Sequence, residues 1–141
     1  LVGDGPQRST MESLTQELGL QTQVMFLGVR DDIAKLLPGA DVFMLSSVSE
    51  GVSVTLLEAM STGLAIAATD VGGNGEVVEH KETGLLSPRG DAQALGKHLV
   101  TLLIDDEKRR AMGAAGRARL LEMFTQERMH EAYAGAYGQL L

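Results

Sequence analysis

Two glutamates, Glu50 and Glu58, stand on either side of a loop of small residues and the start of a predicted helix. They are separated by seven residues, and Gly51 follows the first of them directly. An ionised carboxylate only accepts hydrogen bonds, whereas the first N–H groups of a helix donate them and carry a partial positive charge. In an open parallel sheet, ligands bind where the carboxyl ends of strands meet the amino ends of helices. We therefore expect Glu50 and the backbone N–H groups that follow it to lie at such a junction.

Each glutamate also has an ordinary structural interpretation. Thr55 precedes Glu58 by three positions, which is the spacing of a capping box at a helix start. Glu58 shares a predicted helix face with Thr55 and Thr62, and a polar stripe of this kind is equally typical of a solvated surface. Taken alone, Glu50 is an ordinary loop carboxylate. The residue types and spacing leave these alternatives open.

Short apolar runs alternate with helix-forming segments along most of the chain. We predict strands at the start of the chain and over 23–28, 41–45, 65–69 and 85–87. Helices are predicted over about 7–18, 32–37, 54–62, 76–79, 92–104 and 107–123 and from Thr125 to near the end, capped at Asp91, Asp105 and Thr125. This alternation requires crossover connections. The predicted fold is α/β, a doubly wound parallel sheet in one domain.

The composition argues against several classes of function. The chain has 19 Asp and Glu but only 12 Lys and Arg, which gives a net charge of −7. A nucleic-acid-binding protein needs basic clusters to neutralise phosphates, so this class of function is disfavoured. The absence of cysteine excludes a disulfide scaffold and a thiolate metal site, and it fits a reducing compartment, so we expect a cytoplasmic protein. There is no Asp-x-Asp pair suited to a metal–diphosphate complex, and His80, His98 and His130 lack ligand spacing. We expect neither a metal nor a bound cofactor.

Several short motifs, taken in order, resemble one family. They are Val2-Gly3-Asp4-Gly5-Pro6, Val24-Met25-Phe26-Leu27-Gly28, Ala40-Asp41-Val42, Glu50-Gly51 with Leu57-Glu58-Ala59-Met60, Gly63, Val71-Gly72-Gly73 with Glu76, Thr83-Gly84-Leu85-Leu86, Met112-Gly113 and Phe124-Thr125. Each motif alone is weak, but the ordered set is specific. Over the whole chain it resembles the second, Rossmann-like domain of GT-B glycosyltransferases, in the retaining family 4 group known as glycosyl transferases group 1.

The resemblance implies transfer of a sugar from a nucleotide-sugar donor (a UDP-, GDP- or ADP-sugar) to an acceptor hydroxyl, with retention of configuration and without a metal. Glu50 would be the catalytic glutamate that contacts donor sugar hydroxyls, and Glu58 would accept hydrogen bonds from the ribose hydroxyls. Val29, in the loop after Gly28, would line the base. Backbone N–H groups would bind sugar hydroxyls and diphosphate oxygens at Gly51, Val52, Ser53, Val54 and Thr55. Such enzymes serve polysaccharide or glycolipid biosynthesis.

Some positions depart from the family pattern. Val52 and Ser53 stand where an aromatic residue or Leu and then Gly or Pro are frequent, and Gly75 stands where Pro is frequent. These departures bear on the identity of the donor sugar. We interpret the Gly72-Gly73 pair first as a turn and second as a close approach to the donor, and Glu76 as a cap or anchor of a short helix.

The resemblance also implies a longer protein. The family's second domain normally begins with a further strand and helix, which carry an Arg and a Lys that bind the donor phosphates, and a first domain binds the acceptor. We expect residues 1–141 to be a partial carboxyl-terminal donor-binding domain that lacks these parts and is inactive alone. The absent strand would leave two sheet edges, closed by direct pairing or by another chain. Exposed Tyr133 and Tyr137 on the last helix would favour self-association.

Alternative functions remain open from the sequence. One is a nucleotide-sugar-binding module without chemistry, and another is a GT-B phosphorylase or epimerase. The resemblance is also compatible with a whole protein that is peripheral to a membrane.

Overall fold

The computed structural model describes residues 1–138 and divides the chain into two compact units, Leu1–Ile33 and Ala34–Leu141. The first unit holds helix α1 (Arg8–Glu17), and α2 (Ile33–Leu36) spans the boundary between the units. The second holds a 3-10 turn (Leu37–Gly39), β1 (Val42–Leu45), α3 (Val54–Ser61), β2 (Ala65–Thr69), α4 (Asn74–Val77), β3 (Leu85–Ser87), α5 (Ala92–Ile104), α6 (Asp106–Met123) and α7 (Gln126–Gly138).

The larger unit is built on a three-stranded parallel sheet in the order β1-β2-β3. Val42 pairs with Ala65 at one end of the first ladder, and Ala67 pairs with Leu85 in the second. All five residues of β2 are buried, at no more than 4% exposure. A strand buried on both faces requires a covering layer on each side, so this part of the predicted doubly wound α/β fold is confirmed.

Helices cover the sheet through small and aliphatic side chains. One buried cluster joins β2, β3, α5 and α6 through Ala65, Ala67, Leu85, Leu95, Leu102 and Met112. Helix α3 buries Leu56, Ala59 and Met60. The end of α3 and helix α6 approach so closely that a Cβ built at Gly113 would lie 2.0 Å from the carbonyl oxygen of Gly63. The contact therefore depends on glycine at this position.

The helix starts confirm the three predicted caps. The side chain of Asp91 accepts from the N–H of Ala94 at 2.8 Å, and Asp105 accepts from Lys108 at 3.0 Å. Thr125 Oγ1 accepts from the N–H of Arg128 at 3.2 Å. The prediction that the last helix continues beyond residue 138 falls outside the described residues. Up to that residue, no helix is both long and apolar enough to cross a membrane.

The smaller unit corrects the prediction at the start of the chain. The segments 1–3 and 24–28 form no regular strand, although backbone hydrogen bonds join them: the N–H of Gly3 donates to the carbonyl oxygen of Gly28 (2.7 Å), and that of Leu27 donates to the carbonyl oxygen of Leu1 (2.8 Å). Two short segments that pair only with each other within a unit provide too few bonds for a stable ladder. The apolar pattern of these segments therefore did not predict whether they form regular strands.

Candidate functional site

The loop between β1 and α3 holds Glu50 in a defined position. Glu50 Oε1 accepts a hydrogen bond of 2.6 Å from the hydroxyl of Ser47, and both side chains are partly buried. The carbonyl oxygen of Ser47 in turn accepts a 2.6 Å bond from Thr69 Oγ1, and Thr69 is the buried last residue of β2. The first glutamate is therefore tied to the carboxyl end of the central strand, at the predicted junction.

The Gly72-Gly73 pair packs directly against the backbone of the glutamate loop. The N–H of Gly73 donates to the carbonyl oxygen of Gly51 at 2.6 Å. A Cβ at Gly72, whose φ is +53°, would lie 1.9 Å from the carbonyl oxygen of Glu50. A Cβ at Gly73 would lie 2.8 Å from that of Gly51. These glycines thus lie close to the protein's own backbone at residues 50 and 51.

The segment after β2 is anchored at both ends. The fully buried Asn74 donates from Nδ2 to the carbonyl oxygen of Thr69 at 3.0 Å. From helix α6, Arg119 donates to the carbonyl oxygens of Val77 (3.1 Å) and Glu76 (2.9 Å). Helix α4 begins two residues earlier than predicted and contains Glu76, so the expectation that this side chain caps the helix is wrong. The anchor is its backbone carbonyl.

The start of α3 leaves several backbone donors unpaired. Ser53 occupies the cap position, but its hydroxyl shares a 2.9 Å hydrogen bond with Thr55 Oγ1 and caps no backbone N–H. Within the described chain, no backbone carbonyl accepts from the N–H groups of residues 51–55. Such orphan N–H groups need a partner, and they favour anions. Val52 and Val54 are exposed beside them, so a ligand has access to this turn.

Glu58 is an exposed residue on the face of α3 opposite its packing residues. The helix begins at Val54, which makes Glu58 its fifth residue, and the capping-box alternative is therefore wrong. The side chain forms no hydrogen bond with any described residue, whereas Leu56 and Met60 are completely buried. A rise of about 1.5 Å per residue puts Glu58 about 6 Å along the helix axis from Val54. One small molecule can therefore contact both Glu58 and the orphan N–H groups.

Val29 belongs to the amino-terminal unit, whereas Glu50 and Glu58 belong to the larger unit. It follows Gly28, is 81% exposed, and precedes a two-bond ion pair from Arg30 to Asp32 with distances of 2.8 and 2.6 Å. The Arg30 guanidinium holds the carboxyl of Asp32, and this hydrogen bond lowers the pKa of Asp32. The role of Val29 at a base stays a prediction.

Two of the three histidines, His80 and His98, lie close to each other. His80 Nδ1 accepts from the N–H of Leu86 at 2.9 Å, and its ring centroid lies 5.9 Å from that of His98 on α5. Burial lowers the pKa of His98, and the neighbouring His80 lowers it further. Across residues 1–138, no group of three or more His, Cys, Asp or Glu side chains could hold a metal ion.

Sequence reasoning missed the residues that support the glutamate loop. Ser47 and Thr69 are 22 residues apart, and Arg119 is 43 residues from Glu76. Their hydrogen bonds arise only when the strands and helices are assembled. The sole local signal was a polar residue at the end of each apolar strand, Ser46-Ser47 after β1 and Thr69 at the end of β2.

A parallel sheet with helices on both faces and a ligand-accessible loop at its carboxyl edge defines the class as a Rossmann-like α/β domain. The model of the family "Glycosyl transferases group 1" matches residues 1–119. The chain belongs to this family, and its fold is that of the carboxyl-terminal domain of the GT-B architecture.

Individual relatives match along almost the whole chain. N-acetyl-alpha-D-glucosaminyl L-malate synthase of Bacillus anthracis is 38% identical over 141 residues, which are 100% of this chain and 37% of that protein. Sucrose-phosphate synthase from Thermosynechococcus elongatus has a TM-score of 0.88 and 34% identity, covering 99% of this chain and 37% of that one. Anabaena HepE in complex with UDP-glucose has a TM-score of 0.90 and 29% identity, covering 99% and 40%. The chain thus spans about two fifths of these proteins.

Proposed function

We propose that this chain binds the nucleotide-sugar donor of a glycosyltransferase that retains anomeric configuration. The observation that carries the proposal is the arrangement around the start of α3. A held carboxylate at Glu50, unpaired N–H groups over residues 51–55 and a free carboxylate at Glu58 follow one another within a few residues. These acceptors and donors match the hydroxyl groups and the diphosphate of a nucleotide sugar.

Each group has a distinct role in this proposal. Glu50 accepts hydrogen bonds from donor sugar hydroxyls and acts as the catalytic glutamate, while Glu58 accepts from both ribose hydroxyls. The N–H groups of Gly51, Val52, Ser53, Val54 and Thr55 bind sugar hydroxyls and diphosphate oxygens. As the glycosidic bond breaks, negative charge grows on the diphosphate, and N–H groups already aimed at it stabilise that charge without reorganisation. Val29 lines the base.

Family membership supports transfer over the alternatives of a non-catalytic module, a phosphorylase or an epimerase. The family is that of the glycosyl transferases group 1, and HepE was crystallised with UDP-glucose. A UDP-sugar is therefore the first donor to test, with GDP- and ADP-sugars as the other candidates.

The activity of the whole protein extends the proposal beyond this chain. We propose that a further amino-terminal domain binds the acceptor, that residues 1–141 alone bind donor without transferring it, and that the reaction needs no metal. A cytoplasmic role in polysaccharide or glycolipid biosynthesis completes the proposal. Self-association through exposed sheet edges remains a prediction for this chain.

Calorimetric titration of the chain with UDP, GDP and ADP tests the proposal. We expect one of the three nucleotides to bind with one site per chain, and we expect the affinity to be the same with and without EDTA. Circular dichroism on the same sample establishes that the protein is folded. A folded chain that binds none of the three nucleotides would contradict the proposal.

A further inference from the structure

We propose that Ser47 is a positioning residue, whose hydroxyl holds one oxygen of the Glu50 carboxylate so that the other remains available to the donor sugar. This inference rests on the proposed function, because it assigns a ligand to Glu50. Ser47 itself touches no reacting atom in this scheme. It acts through the glutamate.

The hydrogen bond between the two side chains has the character of a charge-assisted contact. The distance from Ser47 Oγ to Glu50 Oε1 is 2.6 Å, in the range expected for a hydroxyl that donates to a carboxylate. Oε2 makes no hydrogen bond with the described residues. A carboxylate has about four acceptor sites on its two oxygens, so one bond to Ser47 leaves ample capacity for sugar hydroxyls.

Ser47 is itself fixed by buried groups at the end of the central strand. Its carbonyl oxygen accepts from Thr69 Oγ1 at 2.6 Å, and the carbonyl oxygen of Thr69 accepts from Asn74 Nδ2 at 3.0 Å. Thr69 is 4% exposed and Asn74 is completely buried. The position of the Glu50 carboxylate is thus set by the sheet rather than by the loop alone.

This arrangement has a consequence for binding. A free glutamate side chain in a loop of small residues would lose rotational freedom only when the sugar binds, which would weaken binding. The bond from Ser47 orders the side chain in the folded protein beforehand. The contribution of Ser47 should therefore appear in the sugar-dependent part of the affinity and not in the affinity for the nucleotide.

The same loop provides a matched control. Ser46 precedes Ser47 directly, is exposed, and makes no side-chain hydrogen bond with the described residues. Ser46→Ala removes the same hydroxyl group from the neighbouring position. Ser47→Thr is the conservative variant that keeps the hydroxyl. Thr69→Val replaces with a methyl group the hydroxyl that fixes the Ser47 carbonyl.

The test is calorimetric titration of the 141-residue chain and these variants with UDP, UDP-glucose and UDP-N-acetylglucosamine. For the sugar donor that binds the wild-type chain, we expect Ser47→Ala to weaken binding by up to about tenfold, the upper end of the cost of immobilising one side chain on binding. UDP alone should bind Ser47→Ala as it binds the wild type. Ser47→Thr and Ser46→Ala should keep the wild-type ratio of the two affinities, and Thr69→Val should shift it in the direction of Ser47→Ala.

Two outcomes would overturn the positioning role while leaving the proposed function intact. In the first, Ser47→Ala keeps the wild-type ratio of sugar-donor to UDP affinity, although Glu50→Gln changes it. In the second, Ser47→Ala weakens UDP and the sugar donor equally and lowers the melting temperature, which is the signature of a merely structural residue. If none of the UDP ligands binds the wild-type chain, the UDP form of the proposed function fails, and this inference fails with it.

Discussion

The position at which α3 begins decides between two interpretations of Glu58, a capping residue and a carboxylate available to a ligand. The spacing of Thr55 and Glu58 fitted a capping box, but the helix begins at Val54 and Ser53 occupies the cap position. Glu58 is consequently an exposed carboxylate with no structural partner among the described residues. An acidic side chain without a structural task near orphan N–H groups is available for a ligand.

At this residue we expect Glu58→Ala to weaken UDP binding about tenfold or more without loss of stability. Hydrogen bonds to a charged group contribute about 1.5–3 kcal/mol, and two ribose hydroxyls would lose their acceptor. Alanine favours the helix at least as well as glutamate at an exposed position, so the thermal midpoint should not fall. Titration and thermal unfolding on the same sample measure the two effects.

The control for this variant is Glu122→Ala on α6. It also removes one exposed carboxylate and so changes the net charge by the same amount. It should bind UDP as the wild type does. Equal losses in the two variants would show a general effect of charge, and a Glu58→Ala protein that binds UDP normally would remove this residue from the site.

The sequence predicted the caps at Asp91, Asp105 and Thr125, because a cap depends on neighbours within three or four positions. Glu50 and Glu58 were singled out by the ordered family motifs, and their roles stay predictions. Ser47 and Thr69 could not be predicted in the same way. Their bonds connect a loop to a strand 22 residues away, and no local pattern distinguishes Ser47 from Ser46 or Ser49.

At the scale of elements, the loop after β2 supports the loop after β1. The Gly72-Gly73 pair lies against the carbonyl groups of residues 50 and 51. The sequence indicated a glycine turn here. What the two glycines contact, a donor or the protein's own backbone, depends on which strands are neighbours in the sheet. Adjacent β1 and β2 bring their following loops together.

We therefore expect Gly72→Ala to reduce both stability and sugar-donor binding. The positive φ costs about 1–2 kcal/mol for alanine, and the forced displacement of the Glu50 carbonyl adds about 1–3 kcal/mol. Urea unfolding measures the loss of stability, and titration with UDP-glucose measures the displacement of the glutamate.

Gly90 offers a control that also has a positive φ but has open space around it. Its φ is +76°, and a Cβ there would meet no atom within 4 Å. Gly90→Ala should lose only the conformational contribution and should bind donor normally. If the two variants lose the same stability and bind alike, the close approach of the two loops has no energetic consequence.

The contact between α6 and the end of α3 gives a second prediction at this scale. Gly113→Ala should destabilise the protein by about 1–3 kcal/mol, because its Cβ would overlap the Gly63 carbonyl. Gly116→Ala lies on the same helix, and its Cβ would approach nothing closer than 3.4 Å. It should be neutral or stabilising by up to about 1 kcal/mol, since alanine is the better helix former. The reverse order in urea unfolding would contradict the packing.

At the scale of the whole molecule, the half-buried His98 links folding to pH. Burial disfavours its charged form, and His80, Lys108 and Lys81 add to this effect while Asp91 opposes it. The folded-state pKa therefore lies below the ordinary value of 6.5, and the unfolded chain binds more protons as the pH falls through 6.5. The free energy of unfolding should therefore be highest above pH 6.5 and should decrease as the pH falls below it.

We expect the free energy of unfolding in urea to be lower at pH 5.5 than at pH 7.5. In His98→Gln, which cannot be protonated, the difference between the two pH values should shrink. A His130→Gln variant, on the exposed face of α7, should keep the wild-type difference. An unchanged difference in His98→Gln would show that another group is responsible.

The overall architecture was largely predictable, because hydrophobic periodicity marks each element of the larger unit within about two residues. The amino-terminal strands were not, since the regularity of a strand depends on its partners and not on its own pattern. In the described part of the larger unit, β1 pairs with β2 alone and forms one edge of the sheet. An edge of this kind is where the predicted self-association would occur.

The most direct test of the central claim is a crystal structure of the chain soaked with UDP-glucose. We predict that the Glu58 carboxylate accepts from both ribose hydroxyls, that N–H groups of residues 51–55 contact the diphosphate, and that Glu50 accepts from the sugar while Ser47 holds its other oxygen. A nucleotide sugar bound elsewhere on the chain, with both glutamates free of contact, would contradict the account.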